Sequence, residues 1–181
     1  RHIGENRWPD AKDKWEALQG QAVFHYIGSL QTNKVKDVVG RFDYIHSLDR
    51  MSLAEAIHKK AQALGIQVPC LLQVNVSGET SKHGLAPEQV RGFIRELEPL
   101  SAIRPIGLMT MAPFEEAERT RNVFRSLREL RDELNAAALT TSPLTELSMG
   151  MSNDFEVAVE EGATWVRLGT VLVGKEELED D

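Results

Sequence analysis

A single cysteine, Cys70, stands in a chain of 181 residues, so neither a disulfide nor a Cys-x-x-Cys metal or redox site can be built within it. It lies in the apolar run Val68-Pro69-Cys70-Leu71-Leu72 and reads as a buried structural thiol of a reducing, cytoplasmic compartment. HExxH, GxSxG and GxGxxG patterns are missing too. Zinc-peptidase, serine-hydrolase and dinucleotide readings therefore lack support, and no metal site is expected. There is no basic excess: 28 acidic residues face 21 basic ones, for a net charge of −7. That balance argues against a nucleic-acid or anionic-membrane surface while leaving room for a local basic pocket. No apolar run approaches the length of a membrane-spanning helix. Simple repeats and low-complexity segments are absent. The chain opens on Arg1 rather than Met, in a segment that reads as strand, and is expected to begin inside a domain.

What is present is the 41% apolar composition of a globular protein, with room for one domain over residues 1–181. Strand-like runs fall at residues 2–6, 22–28, 44–49, 68–76 and 103–111. The run at 68–76 is apolar except for Gln73 and Asn75, as expected of a strand covered on both faces. Helices are predicted between the runs. Trp8-Pro9-Asp10 punctuates the chain before a helix at 11–18, and one follows through Val35, Val38 and Val39. Ser52 and Glu55 form a capping box for a helix that stops at Gly65. Further helices cover 87–97 and 115–138. The segment 145–174 reads as a short strand, a Ser/Gly-rich turn, a helix, a glycine turn and a second buried strand. Seven strands thus alternate with six helices, which predicts a parallel α/β sheet with helices outside. The pattern is that of a TIM-type (β/α)8 barrel lacking one βα unit, since a complete barrel takes about 250 residues.

In such a barrel the site lies at the C-terminal ends of the strands. Those ends are polar and rich in small residues: Asn6, Gly28, Ser29, Asp49, Arg50, Asn75, Ser77, Met109, Thr110, residues 148–152, Arg167, Gly169 and Thr170. Small residues let backbone N–H groups approach an anion, and hydroxyls add donors, so Ser148, Gly150, Ser152, Gly169 and Thr170 suggest a phosphate cradle. The competing reading makes the same residues ordinary turns and caps. Arg167 is the most informative residue, a guanidinium on a strand that looks buried. It either ion-pairs with Glu5 or Asp49 or faces a ligand acceptor. His25 reads as a satisfied core histidine, and Lys82 and His83 as solvated loop residues. Met109, Met111, Met149 and Met151 are core filler or a soft floor under a planar ring.

Several motifs are familiar. Gly4-Glu5-Asn6, the run from His25 to Lys34, His46-Ser47-Leu48-Asp49-Arg50, Gln73-Val74-Asn75, Ser81-Lys82-His83-Gly84, Gly107-Leu108-Met109-Thr110, Leu147-Ser148-Met149-Gly150-Met151-Ser152 and Val166-Arg167-Leu168-Gly169-Thr170 resemble, in order, the pyridoxal phosphate homeostasis proteins of the YggS/PROSC type. The resemblance implies a single barrel like the N-terminal domain of alanine racemases, holding pyridoxal 5′-phosphate (PLP) as a Schiff base and serving vitamin B6 balance. By motif, Ser148, Ser152, Gly169 and Thr170 correspond to phosphate ligands, with Met149 and Gly150 beside them. Arg167 corresponds to the partner of the pyridine nitrogen, and Asn6 and Met109 to residues around the ring. The family's Schiff-base lysine lies upstream of the Gly4-Glu5-Asn6 motif, so the missing unit is expected to be the first. Lys34 and Lys82 follow other strands and do not replace that lysine.

An arginine at the pyridine nitrogen weakens the ring as an electron sink, which suits a carrier. A racemase also needs a base from a second domain, and the acidic segment ending at Asp181 is expected to leave no room for one. The resemblance therefore implies a monomeric PLP carrier with PLP-dependent apo-enzymes as recipients. The alternatives are an alanine racemase-like enzyme and a PLP-independent phosphate-sugar barrel enzyme.

Overall fold

The computed structural model describes residues 1–80 and 83–174; Ser81, Lys82 and the acidic segment from residue 175 lie outside the described residues. Seven strands form one sheet in the order of the chain: β1 (His2–Glu5), β2 (Val23–Tyr26), β3 (Tyr44–Leu48), β4 (Val68–Gln73), β5 (Ile103–Met109), β6 (Glu146–Met151) and β7 (Trp165–Arg167). Every neighbouring pair is parallel, as short βα connections dictate. The sheet curls on itself. Trp165 of β7 packs against His25 of β2 and His46 of β3 at ring-centroid distances of 4.8 and 5.2 Å. Ser148 of β6 hydrogen-bonds His46 across 102 residues of sequence.

The longer helices lie outside this sheet: α1 (Trp8–Leu18), α3 (Met51–Leu64), α4 (Val90–Leu97) and α5 (Arg121–Ala136). Shorter ones are α2 (Val35–Val38), α6 (Phe155–Glu160) and α7 (Thr170–Val173). Their apolar stripes, such as Leu53, Ala54, Ile57 and Ala61 of α3, cover the outer face of the strands and form one core with Phe24, Ile45, Leu72 and Leu108. β4 is buried almost throughout, as its continuous apolar run predicts. Cys70 is fully buried and free, and burial pushes its thiol up to about 12. Helices α5 and α6 are clamped where the buried Glu161 meets Arg121, Arg125 and Arg128. Hydrogen bonding to Arg125 leads the effects that hold its carboxyl below the usual range.

Four boundaries differ from the sequence expectation. Trp8-Pro9-Asp10 is the first turn of α1 rather than a break, because proline has the right φ and needs no N–H partner there. Ser52 does not cap α3: the helix starts at Met51 after an extended Arg50, without a side-chain cap. The long predicted helix at 115–138 opens with a 3-10 turn, Ala117–Thr120, before α5. The last expected strand is the largest change. β7 stops at Arg167 and is half-buried, and the chain then turns into α7, adding a seventh helix. Val171, Leu172 and Val173 look like strand by composition, yet they are 52%, 71% and 84% exposed. The Ser152 hydroxyl accepts N–H bonds from Gly169 and Val171 at 3.1 and 3.3 Å. That tertiary cap holds the helical turn in place.

Candidate functional site

A cavity of about 720 Å³ opens at the C-terminal ends of the strands. Its walls come from β1 and its following turn (Asn6), β2 (His25, followed by Gly28), β3 (His46), and β7 with its following turn (Trp165, Arg167, Gly169). Two methionines, Met111 and Met151, border it. Among the described residues, no lysine and no carboxylate lines this cavity.

Arg167 dominates the electrostatics. Its Nη1 donates to Ser148 Oγ at 2.6 Å and its Nη2 to the Thr110 carbonyl at 2.9 Å. Both expected ion-pair partners are engaged elsewhere: Glu5 holds Lys14, and Asp49 holds Arg50 and the Gly84 N–H. Among the described residues no carboxylate bridges Arg167. Burial lowers its pKa to about 10, with Asp154 opposing, so it remains a cation at neutral pH. Its Nε is buried and has no hydrogen-bond partner. A buried unpaired donor is costly, and this one belongs to a residue that lines the cavity.

The structure separates the other residues singled out by sequence. Asn6 and Gly169 line the cavity with Arg167. Ser152, Gly169 and Thr170 gather at the start of α7. Ser148 is fully buried, its hydroxyl held between Arg167 and His46. Met109 and Met149 are fully buried. Gly150 adopts φ +98°, and a Cβ there would lie 2.6 Å from the Ala158 side chain, so it lets α6 pack against β6. His83 sits exposed on the cavity rim.

Sequence reasoning missed one group. His2, His25 and His46 lie on adjacent strands and hydrogen-bond in series at 2.8 Å each. Burial, followed by the neighbouring His2, lowers the His25 pKa to about 4. Burial, then His25 and Arg167, lowers that of His46 to about 2. The period-two placement of His2 in β1, and of His25 and His46 each near the middle of an apolar strand, was the available signal.

Residues 1–177 match the family described as the N-terminal domain of alanine racemase. A pyridoxal phosphate homeostasis protein of Aquifex aeolicus is 48% identical over 174 residues, covering 95% of this chain and 75% of its own. The chain belongs to the pyridoxal phosphate homeostasis protein family. Another member, from Pseudomonas aeruginosa, is 40% identical over 177 residues, 96% of this chain and 74% of that one. The solved structure of PipY from Synechococcus elongatus with PLP bound superposes with a TM-score of 0.85 at 38% identity, covering 96% of this chain and 82% of PipY. An alanine racemase of Clostridium difficile, at 19% identity and a TM-score of 0.73, shares the fold, so the curled seven-stranded sheet is of the alanine racemase TIM-barrel type.

Proposed function

We propose that this chain binds pyridoxal 5′-phosphate at the C-terminal end of its barrel and takes part in intracellular vitamin B6 homeostasis as a carrier. The observation that carries the reading is Arg167, a cation on the cavity wall whose guanidinium is fixed by Ser148 and Thr110 and keeps one unpartnered N–H. A pyridine nitrogen is a pure acceptor when unprotonated and would be a fitting partner for that guanidinium. Two further features of the site fit the group. Ser152 and Thr170, gathered beside Gly169 on the wall of the same cavity, would offer their hydroxyls to the phosphate. The cavity is also large enough for a cofactor of this size.

When bound, PLP supplies an aldehyde that captures amines and a ring that withdraws electrons. Arg167, a fixed cation, disfavours a proton on the ring nitrogen and so moderates that withdrawal. Thr110 and Ser148 hold the guanidinium in place, so Ser148 serves Arg167 here rather than facing the cavity. Asn6, on the cavity wall, would border the ring, whereas Met109, Met149 and Gly150 are buried and do not line the cavity. The apo forms of PLP-dependent enzymes are the recipients of this reading, with the chain acting as a monomer in the cytoplasm.

Titration with PLP, followed by tryptophan fluorescence and visible absorbance, tests the proposal. Arg167→Ala should lower affinity roughly tenfold or more while the far-UV circular dichroism stays native. Unchanged affinity in a folded variant overturns the role of Arg167. Robust alanine racemisation by the purified protein would replace the carrier reading with an enzymatic one.

A further inference from the structure

One line of side chains crosses the barrel interior from solvent to Arg167. His2 Nδ1 meets His25 Nε2, His25 Nδ1 meets His46 Nε2, and His46 Nδ1 meets Ser148 Oγ, each at 2.8 Å. Arg167 closes the line at Ser148 Oγ, 2.6 Å away. Five strands contribute one residue each. His2, at the outer end, is exposed, whereas His25, His46 and Ser148 are 5%, 2% and 0% exposed.

The direction of these bonds follows from one chemical fact: an arginine donates and never accepts. Ser148 Oγ must therefore accept from Arg167, and its own proton is free for His46 Nδ1. His46 then carries its hydrogen on Nε2 and donates to His25 Nδ1. His25 in turn donates from Nε2 to His2 Nδ1. In this arrangement the donors of His25, His46 and Ser148 each have an acceptor. The opposite direction would leave the Ser148 proton with no acceptor among the contacts its oxygen makes. Trp165 closes over His25 and His46, and Tyr44 stacks on His25 at 4.8 Å. The charged groups acting on the line are Asp43, which raises His25, and Arg167, which lowers His46. Asp154 acts at the far side of Arg167.

We propose that His46, oriented by His25 and His2, is a positioning residue. By accepting the Ser148 proton it commits the Ser148 oxygen to Arg167 and fixes the rotation of the guanidinium. With Nη1 on Ser148 and Nη2 on Thr110, the plane of the guanidinium on the cavity wall is fixed, and with it the face offered to a ligand acceptor. The identity of that acceptor rests on the PLP reading above; the direction of the hydrogen bonds does not.

The test separates the two. Without cofactor, 15N NMR of the histidine rings should show His25 and His46 neutral, bare at Nδ1 and protonated at Nε2, between about pH 5 and pH 8. A proton on His46 Nδ1 overturns the proposal even if PLP binds. With PLP, His46→Phe keeps the ring and loses both nitrogens, and it should lower affinity roughly tenfold and shift the visible absorbance of the bound cofactor. His46→Asn places an amide oxygen near the position of Nδ1 and should restore both. Wild-type affinity and spectrum in His46→Phe, or equal losses in both variants, overturn the positioning role. If His46→Phe does not fold, the asparagine variant and the NMR tautomers decide it. If the wild type binds no PLP, the PLP reading falls while the tautomer measurement still judges the hydrogen-bond line.

Discussion

His25 makes the clearest energetic demand of any single residue. Its folded pKa of about 4 lies below the ordinary 6.5, because its ring is enclosed by Tyr44, His46 and Trp165. Between those two values the unfolded chain binds a proton that the folded chain refuses. Stability therefore rises with pH across this window. The contribution is complete above about 6.5 and is lost as pH falls through about 4, and it is on the order of 3 kcal/mol. His46 extends the acid sensitivity further, toward about 2. Urea unfolding as a function of pH checks this: the wild-type midpoint should fall steadily from near-neutral to acid conditions, and His25→Phe should flatten that slope. A flat wild-type profile would contradict the buried, neutral state of the histidines.

Strands β5 and β6 approach closely at Gly107, where an added Cβ would lie 2.0 Å from the Glu146 carbonyl oxygen. Backbone cannot yield as a flexible side chain does, so Gly107→Ala has to push the two strands apart beside the residues that carry Met109 and Ser148. Gly92 is the contrasting case. It is exposed inside α4, with nothing within 4 Å of a built Cβ. There alanine gains helix propensity and restricts the unfolded chain. Gly92→Ala should therefore stabilise the protein by about 0.4–1 kcal/mol. Chemical denaturation of the pair should show opposite signs. Equal behaviour would mean that the β5–β6 contact is looser than its geometry.

The whole molecule gathers its cavity from both ends of the chain, with Asn6 on one side and Arg167 and Gly169 on the other. A ligand held there bridges elements that are far apart in sequence and binds only the folded state. At a free concentration near 100 times its Kd, PLP should add about 2.7 kcal/mol, which raises Tm by about 5–10 °C for a domain of this size. Pyridoxal without the phosphate should do less if Ser152, Gly169 and Thr170 hold that group. Differential scanning fluorimetry reads both shifts, and an unmoved Tm at saturating PLP argues against the cavity as its site.

Much of this was already determined by the order of residues along the chain. Alternating apolar strands and amphipathic helices with short links leave a parallel sheet as the way to pair every strand, and β4 announces its double burial in an unbroken apolar run. The motifs around Asn6, Ser148 and Arg167 named the family and the end of the barrel where the cavity lies. What depends on neighbours distant in sequence was decided only by the fold. Val171-Leu172-Val173 has strand composition, yet Ser152, on the far side of α6 and β7 in the chain, caps it into a turn. Arg167 could pair with Glu5 or Asp49 on sequence grounds, but both carboxylates are taken by local partners, and its guanidinium meets Ser148 and Thr110 instead. The three histidines are 23 and 21 residues apart along the chain, and no local pattern reveals that they meet diagonally, His2 and His46 each standing two positions from Gly4 and Tyr44, the register partners of His25. Hydrogen-bond direction and burial are properties of atoms brought together from five strands. They exist only after the sheet has curled.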